Sequence, residues 1–176
     1  MRRLSYLILA IALCACASKP PAPIERIPVG NLSLSEVRTN TNRFVDSEVR
    51  WGGSIVKVEN KAKNTLVEIV QRPLGKNGKP NINHASAGRF IARFRGFVDP
   101  VVYEKGRLLT IIGQIDSEIA RPIGEFNYSF PLVTVSSSYL WPKEVKQEQR
   151  NIYPPWWYYD PWPYYYRPHL HHHHYD

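Results

Sequence analysis

From Val49 onward the apolar residues fall in short runs with a period near two, separated by turn residues, and no stretch of twelve or more keeps the 3.6-residue spacing of a buried helix face. The run "VRWGGSIVKVEN" (49–60) predicts a first strand with Trp51, Ile55 and Val58 as packing positions around a break at Gly52-Gly53. The turn "NKAKN" then leads into "TLVEIVQRPL" (65–74), which pairs with the first run as a hairpin. A polar loop, "PLGKNGKPNINHAS", precedes "GRFIARFRGF" (88–97), where Phe90, Ala92 and Phe94 alternate with Arg89, Arg93 and Arg95 as in a half-buried strand. In "DPVVYEKG" Asp99 as cap and Pro100 at the first helical position predict one short helical turn between strands three and four. "RLLTIIGQIDSEI" (107–119) is the strongest strand pattern, and "YSFPLVTVSSSYLWP" (128–142) supplies the last. Glycine inside a strand marks a bulge or sharp bend, which a small closed sheet needs in order to curl, and Gly52, Gly53 and Gly113 sit inside strands one and four. The expectation is an all-β domain, a small five-stranded OB-like barrel, with an open β-sandwich as the alternative.

Upstream of these strands the texture differs. "LSLSEVRTNTNRFVDSE" (32–48) has a cap at Ser33 or Ser35 but few helix formers, which predicts a short helix or an irregular lead-in. "ASKPPAPIERIPVGN" (17–31) is rich in proline and small residues, carries no apolar period, and reads as a disordered tether.

At the start of the chain, Arg2 and Arg3 precede an apolar run of about ten residues, Leu4 to Leu13, and then the small Ala15, the order of parts in a secretory signal peptide. The run falls short of the ~20 residues a membrane-spanning helix needs. Both cysteines of the chain lie here, in Leu13-Cys14-Ala15-Cys16, so no disulfide is expected. An aliphatic residue, a variable one, a small one and a cysteine resemble the bacterial lipobox. That resemblance makes residues 1–15 a lipoprotein signal and Cys16 the lipidated residue, bearing a diacylglyceryl group on its thiol and an acyl chain, such as palmitate, on its freed amine. Two or three chains give stable anchoring where one does not. Ala17 and Ser18 follow, rather than the aspartate that retains lipoproteins of enterobacteria and their relatives at the inner membrane, so the implied destination is the outer membrane.

Two of the +8 formal charges leave with the signal, and about +6 remain. These cations are scattered among strand-like segments rather than blocked, and an exported lipoprotein meets anionic lipid first, so no nucleic-acid partner is expected. The remaining organisation is a lipidated cysteine and tether at 16–31, a β domain at 32–145 and a low-complexity segment at 146–176. Its core, "YPPWWYYDPWPYYYRPHLHHHHYD" (153–176), holds seven tyrosines, three tryptophans, five prolines and five histidines. So many prolines forbid a regular helix or central strand. Displayed aromatic rings suit membrane interfaces and sugar faces, which makes outer-membrane lipid, envelope glycan or another envelope protein the expected partners. His169, His171, His172, His173 and His174 form a tract of the kind that binds zinc, nickel or copper.

The motifs "VRWGGSIVKVEN", "TLVEIVQRPLGKNGKP", "SAGRFIARFRGFVDPVVYEKGRLLTIIGQI", "IGEFNYSFPLVTV" and "YLWP" occur in order between Val49 and Pro142 and, with the lipobox, resemble the Slp family of starvation-inducible outer-membrane lipoproteins. The resemblance implies a lipid-anchored protein of the Gram-negative outer membrane, linked to stationary phase or stress, with no established catalytic activity and no cofactor.

The residues agree with that limit. Trp51, Gly52, Gly53, Gly106, Gly113, Gly124 and Trp141 are of the kinds that shape and fill a barrel. Asp99, Tyr103 and Arg107 flank one turn and would line a small polar site, although cap, packing and solvated charge is the preferred reading of the three. His84 is the one histidine before the tail and lacks a partner at ligand spacing, so it reads as a loop residue. No G-x-S-x-G, phosphate-binding glycine loop or H-E-x-x-H occurs. The expected function is a non-catalytic envelope lipoprotein; the alternative is metal binding or buffering by the histidine tail.

Overall fold

The computed structural model describes residues 19–30 and 32–143. Its five strands are β1 (Glu48–Asn60), β2 (Asn64–Gln71), β3 (Arg89–Arg95), β4 (Leu108–Ile123) and β5 (Phe126–Leu140), each within or overlapping a run expected from the pattern. They hydrogen-bond in the order β1-β2-β3-β5-β4 and close into a barrel. All pairs are antiparallel except β3 with β5, a short parallel contact from Ile91↔Leu132 to Arg93↔Thr134. This is the all-β, OB-like arrangement expected, and closure excludes the open sandwich.

Two glycines allow the closure. A Cβ on Gly53 would lie 1.9 Å from the Val70 carbonyl oxygen, and one on Gly113 would lie 2.3 Å from that of Thr134. Gly113 also stands at a register shift between β4 and β5, as glycine in a curling strand should. Inside the ring, Trp51, Ile55, Val67, Ile69, Phe90, Ala92, Leu109, Ile111, Ile115 and Val133 form one core. Trp51 meets Phe90 edge-on at 5.3 Å and donates its indole N–H to the Leu32 carbonyl at 2.8 Å, so its polar atom is satisfied as its ring is buried.

The lead-in forms a helix, α1 (Leu34–Thr39), capped by the Ser33 hydroxyl, which accepts from Glu36 N–H at 3.2 Å. Leu34 and Val37 join the core. The one helical turn expected after Asp99 forms and extends no further. Asp99 caps it, its carboxylate accepting from Val101 N–H at 2.8 Å, and the turn, closed by Tyr103 N–H to the Asp99 carbonyl, gives way to Gly106 at φ 90°. Three residues between that cap and Tyr103 make one turn and are too few to propagate a helix.

Strand β4 runs further than its sequence pattern, through Pro122, and β5 begins two residues before its own, so that the pair meets at a two-residue turn at Gly124-Glu125. The extra length forms an arm across the outside of the ring, where Ile119, Ile123 and Tyr128 pack with Phe130 and Leu132 over Ile91 and Leu66. Ion pairing pins it: Glu59 accepts from Lys57 at 2.8 Å, from Lys61 at 3.2 Å and from Arg121 of the arm at 3.1 Å. These cations, Lys57 foremost, then Lys61 and Arg121, hold the Glu59 carboxyl down at about 2. A carboxyl so depressed stabilises the fold above its unfolded value of 4.5, and that contribution fades as pH falls towards 2. Glu59→Gln is therefore expected to cost about 0.5–1 kcal/mol at pH 7, the scale of a partly exposed network. Urea titrations at pH 7 and near pH 2 test this; a gap that persists at the lower pH would show that the amide perturbs packing rather than charge.

Candidate functional site

The segment expected to be a free tether is docked on the barrel between about Pro20 and Arg26. Ile24, in a short 3-10 turn (Ala22–Ile24), is fully buried between Ile112 and Trp141 on the outer face. The Arg50 guanidinium donates to the Ile24 carbonyl at 3.0 Å, and the Ser137 hydroxyl donates to the Pro23 carbonyl at 2.5 Å. Partial burial lowers the Arg50 pKa from its ordinary value. Further along, Arg26 forms a two-pronged ion pair with Glu48. The prolines that suggested disorder instead flank and enter a 3-10 turn whose carbonyls are met by β1 and β5, so the proline-rich stretch belongs to the domain from about Pro20.

The long β2–β3 loop completes this corner. Gly78, at φ 79°, approaches so closely that a Cβ there would lie 3.1 Å from Ile24 Cδ1 and 3.6 Å from Pro20 Cβ. The Gly78 carbonyl accepts from Thr110 Oγ1 at 2.8 Å, and Thr110 Oγ1 accepts from the Trp141 indole at 3.0 Å. Arg107 then links Trp141 to the β3–β4 loop, donating to the Trp141 carbonyl at 2.7 Å and the Val102 carbonyl at 3.2 Å. Arg107 is thus a carbonyl clamp, Asp99 a turn cap, and Tyr103 a packing residue edge-on to Phe94 at 5.9 Å. The three do not converge on a polar site.

Other chemistry-bearing residues are also engaged structurally. His84 lies exposed in the β2–β3 loop, its carbonyl accepting from Arg72 at 2.6 Å. An open depression of about 570 Å³ between Glu48, Arg95, Gln114, Thr134, Val135 and Ser136 gathers both charges and hydroxyls. Arg93 donates to Thr134 Oγ1 at 2.7 Å, and Ser136 Oγ donates to the Ile112 carbonyl at 3.1 Å, so neither hydroxyl faces a base. Among the described residues no three His, Cys, Asp or Glu side chains gather at metal-binding range. Cys16, the signal segment and the tail with its five histidines lie outside the described residues.

The model of the "Outer membrane lipoprotein Slp family" matches residues 13–169, from the first residue of the Leu-Cys-Ala-Cys run to the start of the histidine tract. The chain belongs to that family. Among its relatives are "Uncharacterized lipoprotein YeaY" of Escherichia coli (strain K12), 32% identical over 88% of this chain and 81% of its own length, and "Outer membrane protein Slp" of the same strain, 32% identical over 84% and 79%. An uncharacterized protein of Haemophilus influenzae is 30% identical over 78% and 75%. No solved structure matches the chain. Slp-family membership makes this protein a lipid-anchored lipoprotein of the outer membrane, and the family is not known for enzymes. The metal-binding alternative finds no support in the family or its named relatives.

Sequence reading missed the docking contacts of Ile24, Arg50 and Ser137. One signal was available: Ile24 interrupts the prolines as a large aliphatic residue, and such a residue in an otherwise unpatterned run asks for a place to be buried.

Proposed function

We propose that Cys16 carries the lipid and that the chain is a non-catalytic envelope protein, holding a small β domain at the outer membrane and supporting envelope integrity or contacts in stationary phase and stress. The observation that carries this is the reach of the family match, which begins at Leu13 and so takes in the lipobox-like run with the domain. Satisfied hydroxyls and the absence of a convergent acid–base pair among the described residues favour a binding or structural role. Its partner is outer-membrane lipid, through the anchor; the aromatic rings of residues 153–176 suit a further contact with envelope glycan or another envelope protein.

Intact mass spectrometry of the protein from fractionated membranes tests the reading. Wild type is expected as residues 16–176 plus a diacylglyceryl group and one acyl chain, in the outer-membrane fraction. Cys16→Ser is expected to lose the lipid mass and leave that fraction. An unchanged Cys16→Ser protein would assign the anchor to another residue, and a deletion strain with wild-type stationary-phase survival would remove the stress role.

A further inference from the structure

Three large apolar side chains stand out of one loop: Phe97 is 74% exposed, Val101 82% and Val102 47%. The loop holds them there rather than leaving them slack. Gly96 N–H donates to the Lys63 carbonyl at 3.2 Å, Val98 N–H to Thr65 Oγ1 at 3.1 Å, and Arg107 clamps the Val102 carbonyl. Clustered apolar side chains presented on a fixed frame mark a surface that another phase or partner covers. Beside them, the β1–β2 turn exposes Lys61 and Lys63, and Lys105 follows on the loop itself. Cations around protruding apolar groups complement an anionic lipid surface, which offers acyl carbon beneath negative headgroups.

The docked N-terminal segment keeps the lipid close to the barrel. Three residues separate Cys16 from Pro20, and the four residue steps between them span no more than ~14 Å. Ile24 of that segment packs on Trp141, whose carbonyl Arg107 clamps together with that of Val102. Helix α1 lies at the other end of the ring, where Arg38 donates to the Ala87 carbonyl just before β3, whereas the apolar loop follows the last residue of β3.

We propose that the loop bearing Phe97, Val101 and Val102, with Lys61, Lys63 and Lys105, docks into the anionic phospholipid headgroups of the membrane that holds the anchor. The short leash holds the barrel within reach of lipid, and the loop supplies a second, reversible contact. The proposal rests on Cys16 as the anchor.

Spin labels test it on the lipidated mature chain, in which Cys16 is blocked and an introduced cysteine is unique. Val101→Cys reports on the loop and Ser35→Cys, on α1, on the far end. After reconstitution into vesicles of phosphatidylethanolamine and phosphatidylglycerol, collision of the Val101 label with a water-soluble nickel reagent is expected to fall several-fold, with the Ser35 label unchanged. Lys63→Glu with Lys105→Glu is expected to restore access while the protein still floats with the vesicles. Equal access at both positions on floating protein would overturn the docking and leave the anchor standing. Protection that persists on phosphatidylcholine alone would overturn the anionic recognition. Protection that grows with protein concentration without vesicles would assign the loop to a second copy of the chain. Failure to float would remove the anchor, and the proposal with it.

Discussion

Gly53→Ala is expected to destabilise the β domain by at least about 3 kcal/mol, beyond the ordinary range for an added methylene in a packed core. The added carbon would stand 1.9 Å from the Val70 carbonyl oxygen, 2.7 Å from its carbon and 2.9 Å from Gln71 Cα. All three are backbone atoms of β2, so no side-chain rotation relieves the contact, and the sheet must open where Gly53 pairs with Gln71 on one side and Leu109 on the other. For a domain of this size the loss corresponds to a fall in Tm of roughly 12 °C or more. Gly75→Ala is the control, since its new carbon would meet Asn77 Oδ1 at 3.3 Å and the Lys79 carbonyl at 3.6 Å without a left-handed φ, and should stay close to wild type. Thermal unfolding of both variants decides the matter; a Gly53→Ala protein within 1 °C or so of wild type would mean that the strands do not approach so closely.

That glycine shows what the sequence carried well. Strand signals are local: alternation, β-branched residues and glycine within a run set β1 to β5 nearly in place, and Gly53 and Gly113 marked the points of curvature before any pairing was known. Contacts distant in sequence were not legible in this way. Pro122 and the residues around Gly124 looked like a break between two strands, because local rules read proline and glycine as punctuation. In the fold Pro122 pairs with Asn127 at the end of an arm, where a missing N–H costs little. Asp99-Pro100 carried a true cap signal and began the one turn expected, after which Gly106 and the Arg107 clamp redirect the chain. Those same residues then present Val101 and Val102 to solvent. The proline-rich lead was misread most, because its partners Arg50, Ile112 and Ser137 belong to strands with nothing in their own patterns to announce it.

The docked lead makes the anchor a structural element of the domain, and one substitution should loosen it. Ile24→Ala leaves a cavity against Ile112 and Trp141, and large-to-small changes at fully buried isoleucine cost about 2–5 kcal/mol. The loss falls on the segment rather than on the ring, whose own core does not include Ile24. Its readout is Arg26, two residues on, whose ion pair with Glu48 and docked backbone keep a tryptic bond out of a protease's extended binding mode. Where opening is fast relative to cleavage, the rate follows the open population, so even 2–3 kcal/mol raises cleavage roughly 30- to 150-fold. Cutting after Arg26 severs the lipid from the barrel. Trypsin should therefore release Ile24→Ala domains from vesicles far faster than wild type, while urea unfolding of the barrel in the uncleaved chain stays unchanged. Equal release rates would return the segment to the free tether that its composition suggested; a destabilised ring would place Ile24 in the same cooperative unit as the core. In the expected outcome, the distance between domain and membrane is set by how far the docking extends towards Cys16, and not by the length of the proline-rich sequence.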